Sequence, residues 1–400
     1  MTDATQAPPR AGARAGPGGW RGYALALAQV LCVAMSCAFA VLMAQWMFAD
    51  PGEMGVAGDF TSFYAASELA LEGRAAETYD EPPHFARQKA LYRNQERGYL
   101  TFMYPPIFLL MCLPFALLPF VWMTAAWLVA TNAGYVAALF RLLPRPGLAV
   151  LLLGYPAVFT NAGYGQNGAL SAALLGFAAW ALDRRPALAG LCLGLLAYKP
   201  HLGLIVPLAL AVTGRWRAFL AAAATVLALA AAASAVFGVE IWQAYLDRGP
   251  DMRRWLESDD VGYLDKWVTL YGAIRLHGGG LGLAYAAQAA VALAAGGALL
   301  ASLRRRTEGA AIIAGVTAAI PFLSPFMLEY DLLVLAVPMA WLLGEGARGG
   351  ILRGEGAALA FAWLAPALFK ISAWDNAVKL AVLASCAALF SAVLRRIRLA

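Results

Sequence analysis

Asp59 is the first side chain whose setting invites chemistry. It stands in Gly58-Asp59-Phe60-Thr61-Ser62-Phe63-Tyr64, about ten residues after a long apolar run. A carboxylate at such a corner can take a proton as a general base, and it can equally accept backbone N–H groups as the N-cap of a helix over 61–71. Glu68, nine residues on, reads as a solvated face residue. Tyr104-Pro105-Pro106 opens another helix, with proline suited to the first helical position and the tyrosine to the headgroup level. In Gly165-Gln166-Asn167, two amides fall between apolar runs. Amides there can line a polar cavity, or the glycines can simply turn the chain while Asn167 caps the next helix. Tyr198-Lys199-Pro200-His201 ends a short apolar run with a cation. Lys199 can hold a phosphate as a point charge, or snorkel to the interface. Glu329-Tyr330-Asp331, after Ser324-Pro325, follows 20 residues without a charge. Acids so placed need a partner or a cavity, unless they belong to an ordinary loop.

Other chemistries find no purchase. The three histidines, His84, His201 and His277, have no metal-ligand spacing, and no metal or cofactor is called for. No phosphate-binding Gly-rich loop or Ser-His-Asp signature is present. Cys32, Cys37, Cys112, Cys192 and Cys386 all sit in apolar runs, which reads as packing.

The elements that must position these residues are membrane helices. Of 400 residues, 62% are hydrophobic and 14% charged, too little polar surface for a soluble fold. Uncharged runs cover 22–49, 98–140, 146–182, 218–239, 276–303 and 309–328, and shorter ones cover 186–198, 200–214, 332–344, 356–369 and 380–394. Crossing roughly 30 Å of hydrocarbon takes about 20 residues, and the backbone in lipid must bond within its own helix. The expectation is an all-α polytopic membrane protein of about 12 transmembrane helices. It forms a single transmembrane domain over 21–400, after a disordered cytoplasmic tail at 1–20.

Charge gives the sidedness. Arginine clusters at 10–21, 141–145, 184–185, 215–217, 304–306, 348–353 and 395–398 hold 17 of the 30 basic residues. Placed in the cytoplasm, they give +12 inside and −6 outside, which accounts for the net +6 without nucleic acid. For the clusters to share a side, 98–140 must cross once, so 104–118 lies on or dips into the outer surface. Two outer loops result, 50–119 with interfacial helices and 238–280, both rich in aromatics. The candidate residues gather on that outer side.

Taken together, Gly58-Asp59-Phe60, Tyr79-Asp80, Phe102-Met103-Tyr104-Pro105-Pro106, Gly165-Gln166-Asn167, Lys199-Pro200 and Ser324-Pro325…Tyr330-Asp331 resemble glycosyltransferase family 87. The resemblance implies a GT-C type of bundle and an inverting transfer of a hexose, usually mannose, on the non-cytoplasmic face. The donor implied is a polyprenyl-phosphate sugar and the acceptor a lipid or glycan hydroxyl, with membrane lipids around them. Asp59 becomes the general base. Lys199 becomes the first candidate for the donor phosphate, with Arg254, Lys266 and Arg275 behind it. Tyr64, Tyr104, Gln166, Asn167, His201, Glu329, Tyr330 and Asp331 become substrate-binding candidates, and the setting implied is a bacterial inner membrane with the site facing the periplasm. A lipid-linked transporter or flippase, or an oligosaccharide ligase, is the alternative. The site reading requires Asp59, Gln166, Lys199 and Asp331 to line one pocket, within roughly 10–15 Å of one another.

Overall fold

A computed structural model describes residues 20–48, 58–91, 98–258, 264–371 and 376–399. Nearly all of the expected tail, and residues 50–57, 92–97 and 259–263 of the expected outer loops, lie outside the described residues. The described chain is helical. In order come α1 (Trp20–Phe48), α2 (Gly58–Leu71), α3 (Glu81–Leu91), α4 (Pro106–Cys112), α5 (Phe120–Leu142), α6 (Pro146–Leu153) and α7 (Pro156–Tyr164). Next are α8 (Gly168–Ala181), α9 (Pro186–Leu195), α10 (Val206–Val212), α11 (Trp216–Phe237), α12 (Glu240–Asp247) and α13 (Gly249–Glu257). The last six are α14 (Leu270–Leu276), α15 (Leu281–Ser302), α16 (Gly309–Leu323), α17 (Ala336–Gly349), α18 (Glu355–Ile371) and α19 (Asn376–Leu399). Short 3₁₀ turns join several of them, including Leu196–Tyr198, Pro200–Gly203 and Glu329–Leu335. Among the described residues no strand forms, and one antiparallel bridge pairs Trp267 with Leu328.

Among the described residues, six helices are long and apolar enough to cross a membrane: Ala24–Phe48, Phe120–Leu142, Trp216–Phe237, Leu281–Ser302, Glu329–Gly349 and Ala377–Leu399. The pair α6 and α7 makes a seventh if taken as one span bent by 53°. Pro156 accounts for the bend, because its ring removes a backbone donor and blocks the preceding turn. Other apolar helices among the described residues are only 10 to 17 residues long, one of them Pro106–Leu117 in the segment expected on the outer surface, so length and composition support six or seven crossings and not the expected 12.

Burial sorts the helices into rim and centre. The apolar windows of α1 and α11 are each 6% buried, whereas that of Glu329–Gly349 is 78% buried. The first two therefore present their side chains to lipid, and the last is walled by protein. Packing of the rim helix α11 onto α9 depends on small residues. A Cβ on Gly190 would come within 2.4 Å of Ala218 O, and one on Gly194 within 2.6 Å of Thr225 Cβ. Spaced four apart, these two glycines let α9 and α11 approach backbone to backbone, the means by which helices associate where lipid offers no hydrophobic gain.

The segment after α1 packs as a small aromatic body. Phe60, Phe63, Phe102 and Phe108 are buried there, with Phe63 edge-on to Phe102, Tyr104 and Phe108. Buried His84 ties α3 to α2: Nε2–H donates to Ser62 O at 3.0 Å, and Nδ1 lies 3.2 Å from the Tyr99 hydroxyl. Its imidazole is held down to about 4 by burial, so it remains a neutral clip.

Candidate active site

The site begins at a turn. α7 ends at Gly165, whose φ of 70° is left-handed and strained for any residue bearing a Cβ. Trp127 Nε1–H donates to Gly165 O at 3.2 Å and Gln166 N–H to Asn161 O at 3.0 Å, fixing the reversal into α8. Gln166 thereby points back at α2. Its Nε2 donates to Asp59 Oδ2 at 2.8 Å, while its Oε1 accepts from the Tyr104 hydroxyl at 3.1 Å and from Asn167 N–H at 3.2 Å. One amide, both ends used, joins residues 107 apart in sequence.

Asp59 is therefore not a helix N-cap. It lies inside the first turn of α2, and its carboxylate turns to Gln166 instead of to backbone N–H groups. Burial raises its pKa above the ordinary aspartate value, while the Gln166 hydrogen bond and the charges of Lys266 and Lys199 pull it back. A carboxylate so tuned is a stronger base than one in water.

A second network stands beside it. Lys199 follows the 3₁₀ turn Leu196–Tyr198, and its Nζ donates to Asn167 Oδ1 at 2.9 Å and Asp331 Oδ1 at 2.6 Å. Lys199 and Asp331 are 5% and 1% exposed. A buried charge left unpaired would be severely unfavourable, so each holds the other in place. Lys199 thus stands as the paired cation of the centre, and Asn167 and Asp331 turn to it. Asn167 occupies the N-cap position of α8 without capping it.

Glu329 belongs to a third cluster. Its Oε1 accepts from the Tyr164 hydroxyl at 2.6 Å and from Lys370 Nζ at 3.1 Å, and Lys370 also reaches the Tyr164 hydroxyl at 2.9 Å. Lys266 also stands near Tyr164, 6.0 Å from the ring centroid.

These clusters surround one cavity of about 390 Å³, and Asp59, Tyr104, Gln166, Lys199, His201, Tyr330 and Asp331 all line it. Stretches of chain from residue 59 to residue 331 meet there. His201 Nε2 is buried without a hydrogen-bond partner among the described residues. Lys266 also lines the wall and makes no ion pair with a described residue. Tyr64, in contrast, is not brought to the cavity. Its hydroxyl donates to Leu118 O at 3.0 Å and its ring packs edge-on against Phe120, because α2 turns that face toward the aromatic body. Nor do the other two reserve cations reach the wall: Arg254 pairs with Asp251, and Arg275 donates to Gly279 O and Glu257 O at 3.0 Å.

Tyr164 and Lys370 were not singled out from sequence. Tyr164 adjoins the Gly165-Gln166-Asn167 motif, and Lys370 ends the apolar run 356–369. Those placements were the available signals, and a cation closing an apolar run carries little information by itself. Among the described residues, no group of three or more His, Cys, Asp or Glu side chains is placed to hold a metal.

An apolar helical bundle with a cavity into which several charged and amide side chains converge is the architecture of an integral membrane protein. The characteristic sequence pattern of glycosyltransferase family 87 matches residues 102–328, more than half of the chain. The chain belongs to that family and is a membrane glycosyltransferase, with a sugar donor and an acceptor as its substrates. No curated protein and no solved structure matches it. Tyr104, Gln166, Asn167, Lys199 and Lys266 fall inside the matched segment, whereas Asp59, Glu329, Tyr330 and Asp331 fall outside it.

Proposed function

We propose that the chain transfers a hexose, with mannose as the first candidate, from a polyprenyl-phosphate sugar to a hydroxyl of a lipid or glycan acceptor, with inversion. The observation that carries this reading is the meeting of Asp59 with Gln166, Tyr104 and the Lys199–Asp331 pair at one cavity. Asp59 takes the proton of the acceptor hydroxyl as that oxygen attacks the anomeric carbon. The bond from that carbon to the phosphate oxygen breaks, and polyprenyl phosphate leaves. General-base help of this kind is typically worth about 10²–10⁴-fold. Gln166 orients the carboxylate, and Tyr104 holds the amide of Gln166 in that direction.

The leaving phosphate gains negative charge in the transition state, so a fixed cation beside it lowers the barrier. Lys266 fits this role better than Lys199, because Lys199 is already engaged by Asp331 and Asn167. His201 Nε2 and Tyr330, which line the cavity, take the role of meeting sugar hydroxyls in this reading. No resident metal or cofactor enters the scheme. The reading includes a GT-C type of bundle with about 12 crossings, interfacial helices after α1 and a cavity open to the periplasmic face of a bacterial inner membrane. Arginine on the opposite loops supports that orientation.

Purified protein in lipid vesicles, given a panel of polyprenyl-phosphate hexoses and membrane-lipid acceptors, should add one hexose mass to an acceptor. No gain with any lipid-linked donor, together with gain from a nucleotide sugar, would reject the donor class.

A further inference from the structure

The last helix carries a lysine in the middle of protein. Lys379, near the start of α19, is 1% exposed. Its Nζ donates to Leu264 O at 2.8 Å, Asp265 O at 2.8 Å and Trp267 O at 2.9 Å. An ammonium has three donors, and all three are used. The Phe369 ring lies over the charge at 4.8 Å.

The carbonyl that Lys379 skips belongs to Lys266. That one accepts instead from Glu329 N–H at 3.1 Å, and Val268 N–H donates to Met327 O at 3.0 Å. Every carbonyl from Leu264 to Trp267 is therefore accounted for: Leu264 O, Asp265 O and Trp267 O go to Lys379, Lys266 O to the Glu329 backbone. A charged side chain in an apolar helix is costly and tends to mark function. This one converges on the backbone either side of Lys266, which makes no ion pair with a described residue.

We infer that Lys379 is a positioning residue for Lys266, and that α19, beyond the family-matched segment, thereby takes part in donor recognition. It acts by fixing the Lys266 backbone so that the Lys266 ammonium meets the donor phosphate at a set place. The inference rests on the reading of Lys266 as the phosphate-facing cation. A clip serving only the fold would lower stability without singling out the donor.

The test is a double-mutant cycle on the full chain in vesicles, with a polyprenyl-phosphate hexose as donor. Lys379→Met should raise the donor KM about tenfold, with kcat held within about threefold. Lys266→Ala should do at least as much, and the double variant should be no worse than Lys266→Ala alone, since coupled residues are not additive. Defects that multiply, or a fall in kcat at unchanged KM, would overturn the inference. Should Lys379→Met fail to fold, Lys379→Arg keeps the charge but presents a planar fork to three convergent carbonyls. It should give a smaller rise in donor KM that again vanishes in the Lys266→Ala background. A second arm does not depend on the role of Lys266. With the exposed Cys37 removed as Cys37→Ala, the labelling rate of Lys266→Cys by a charged thiol reagent should change several-fold on adding the Lys379 substitution. An unchanged rate would refute the hold on the backbone. If Lys266→Ala leaves donor KM untouched while labelling responds, the phosphate reading falls and the positioning stands.

Discussion

Lys199 and Lys266 are both lysines on the wall of one cavity, yet their surroundings give them different work. Lys199 is buried against Asp331 and Asn167, so its charge is spent inside the protein. Lys266 makes no ion pair with a described residue; the Tyr164 ring lies 6.0 Å from its ammonium, and its charge acts on Asp59 and Asp265 without pairing with either. A paired buried cation builds a site, and an unpaired one beside it is available to a ligand's anion. The same division separates Asp331, whose oxygen meets Lys199, from Asp59, whose partner is a neutral amide.

Four single substitutions and one double variant break or sharpen that division. Asp59→Asn removes the proposed base and should lower kcat by about 10²–10⁴-fold with the protein still folded; near-normal turnover would move the base elsewhere. The same variant carries a stability signature. Because burial raises the Asp59 pKa, the protonated form is favoured in the fold, and the stability tied to that group is lost as pH rises through the raised value. Asp59→Asn should therefore raise Tm at neutral pH. In the wild type, kcat/KM should fall as pH drops through a value above the ordinary aspartate range.

Lys199→Met leaves Asp331 buried and alone, and should cost about 3–5 kcal/mol of stability, read as a collapse in folded yield. Adding Asp331→Leu should recover much of the yield without activity. Lys266→Ala should leave folding intact and raise donor KM by roughly 10- to 100-fold, as loss of a charged hydrogen bond predicts. If instead Lys199→Met folds well and shows the donor defect, the two lysines have been assigned the wrong way round. Lys370 is half exposed where it meets Glu329, so Lys370→Ala should cost no more than about 1 kcal/mol of stability, read as a small fall in Tm, and change kcat only a few-fold.

The aromatic body after α1 and the turn at Gly165 show how much of this could be read beforehand. Gly165-Gln166-Asn167 announced a turn with polar side chains, and the turn is there. The motif could not say that Gln166 would face Asp59 while Asn167 faced Lys199, because adjacent residues at a helix start point in different directions. Tyr64 sits in a motif with Asp59, but five positions along a helix put it on another face, against Phe120. Lys370 and Lys379 lie where sequence offered only the ends of apolar runs, and their partners are 41 to 206 residues away.

Composition and hydropathy alone pointed to a chain that lives in a bilayer as helices, since lipid makes the backbone bond internally and long continuous apolar runs without strand-type alternation suit helices and not a closed barrel. The motifs also named most of the residues that line the cavity. Tertiary structure decided which charges neutralise one another and which remain for a substrate. That outcome depends on distances of a few ångströms between segments hundreds of residues apart, and on how far burial removes water from each, and neither quantity is encoded in local spacing.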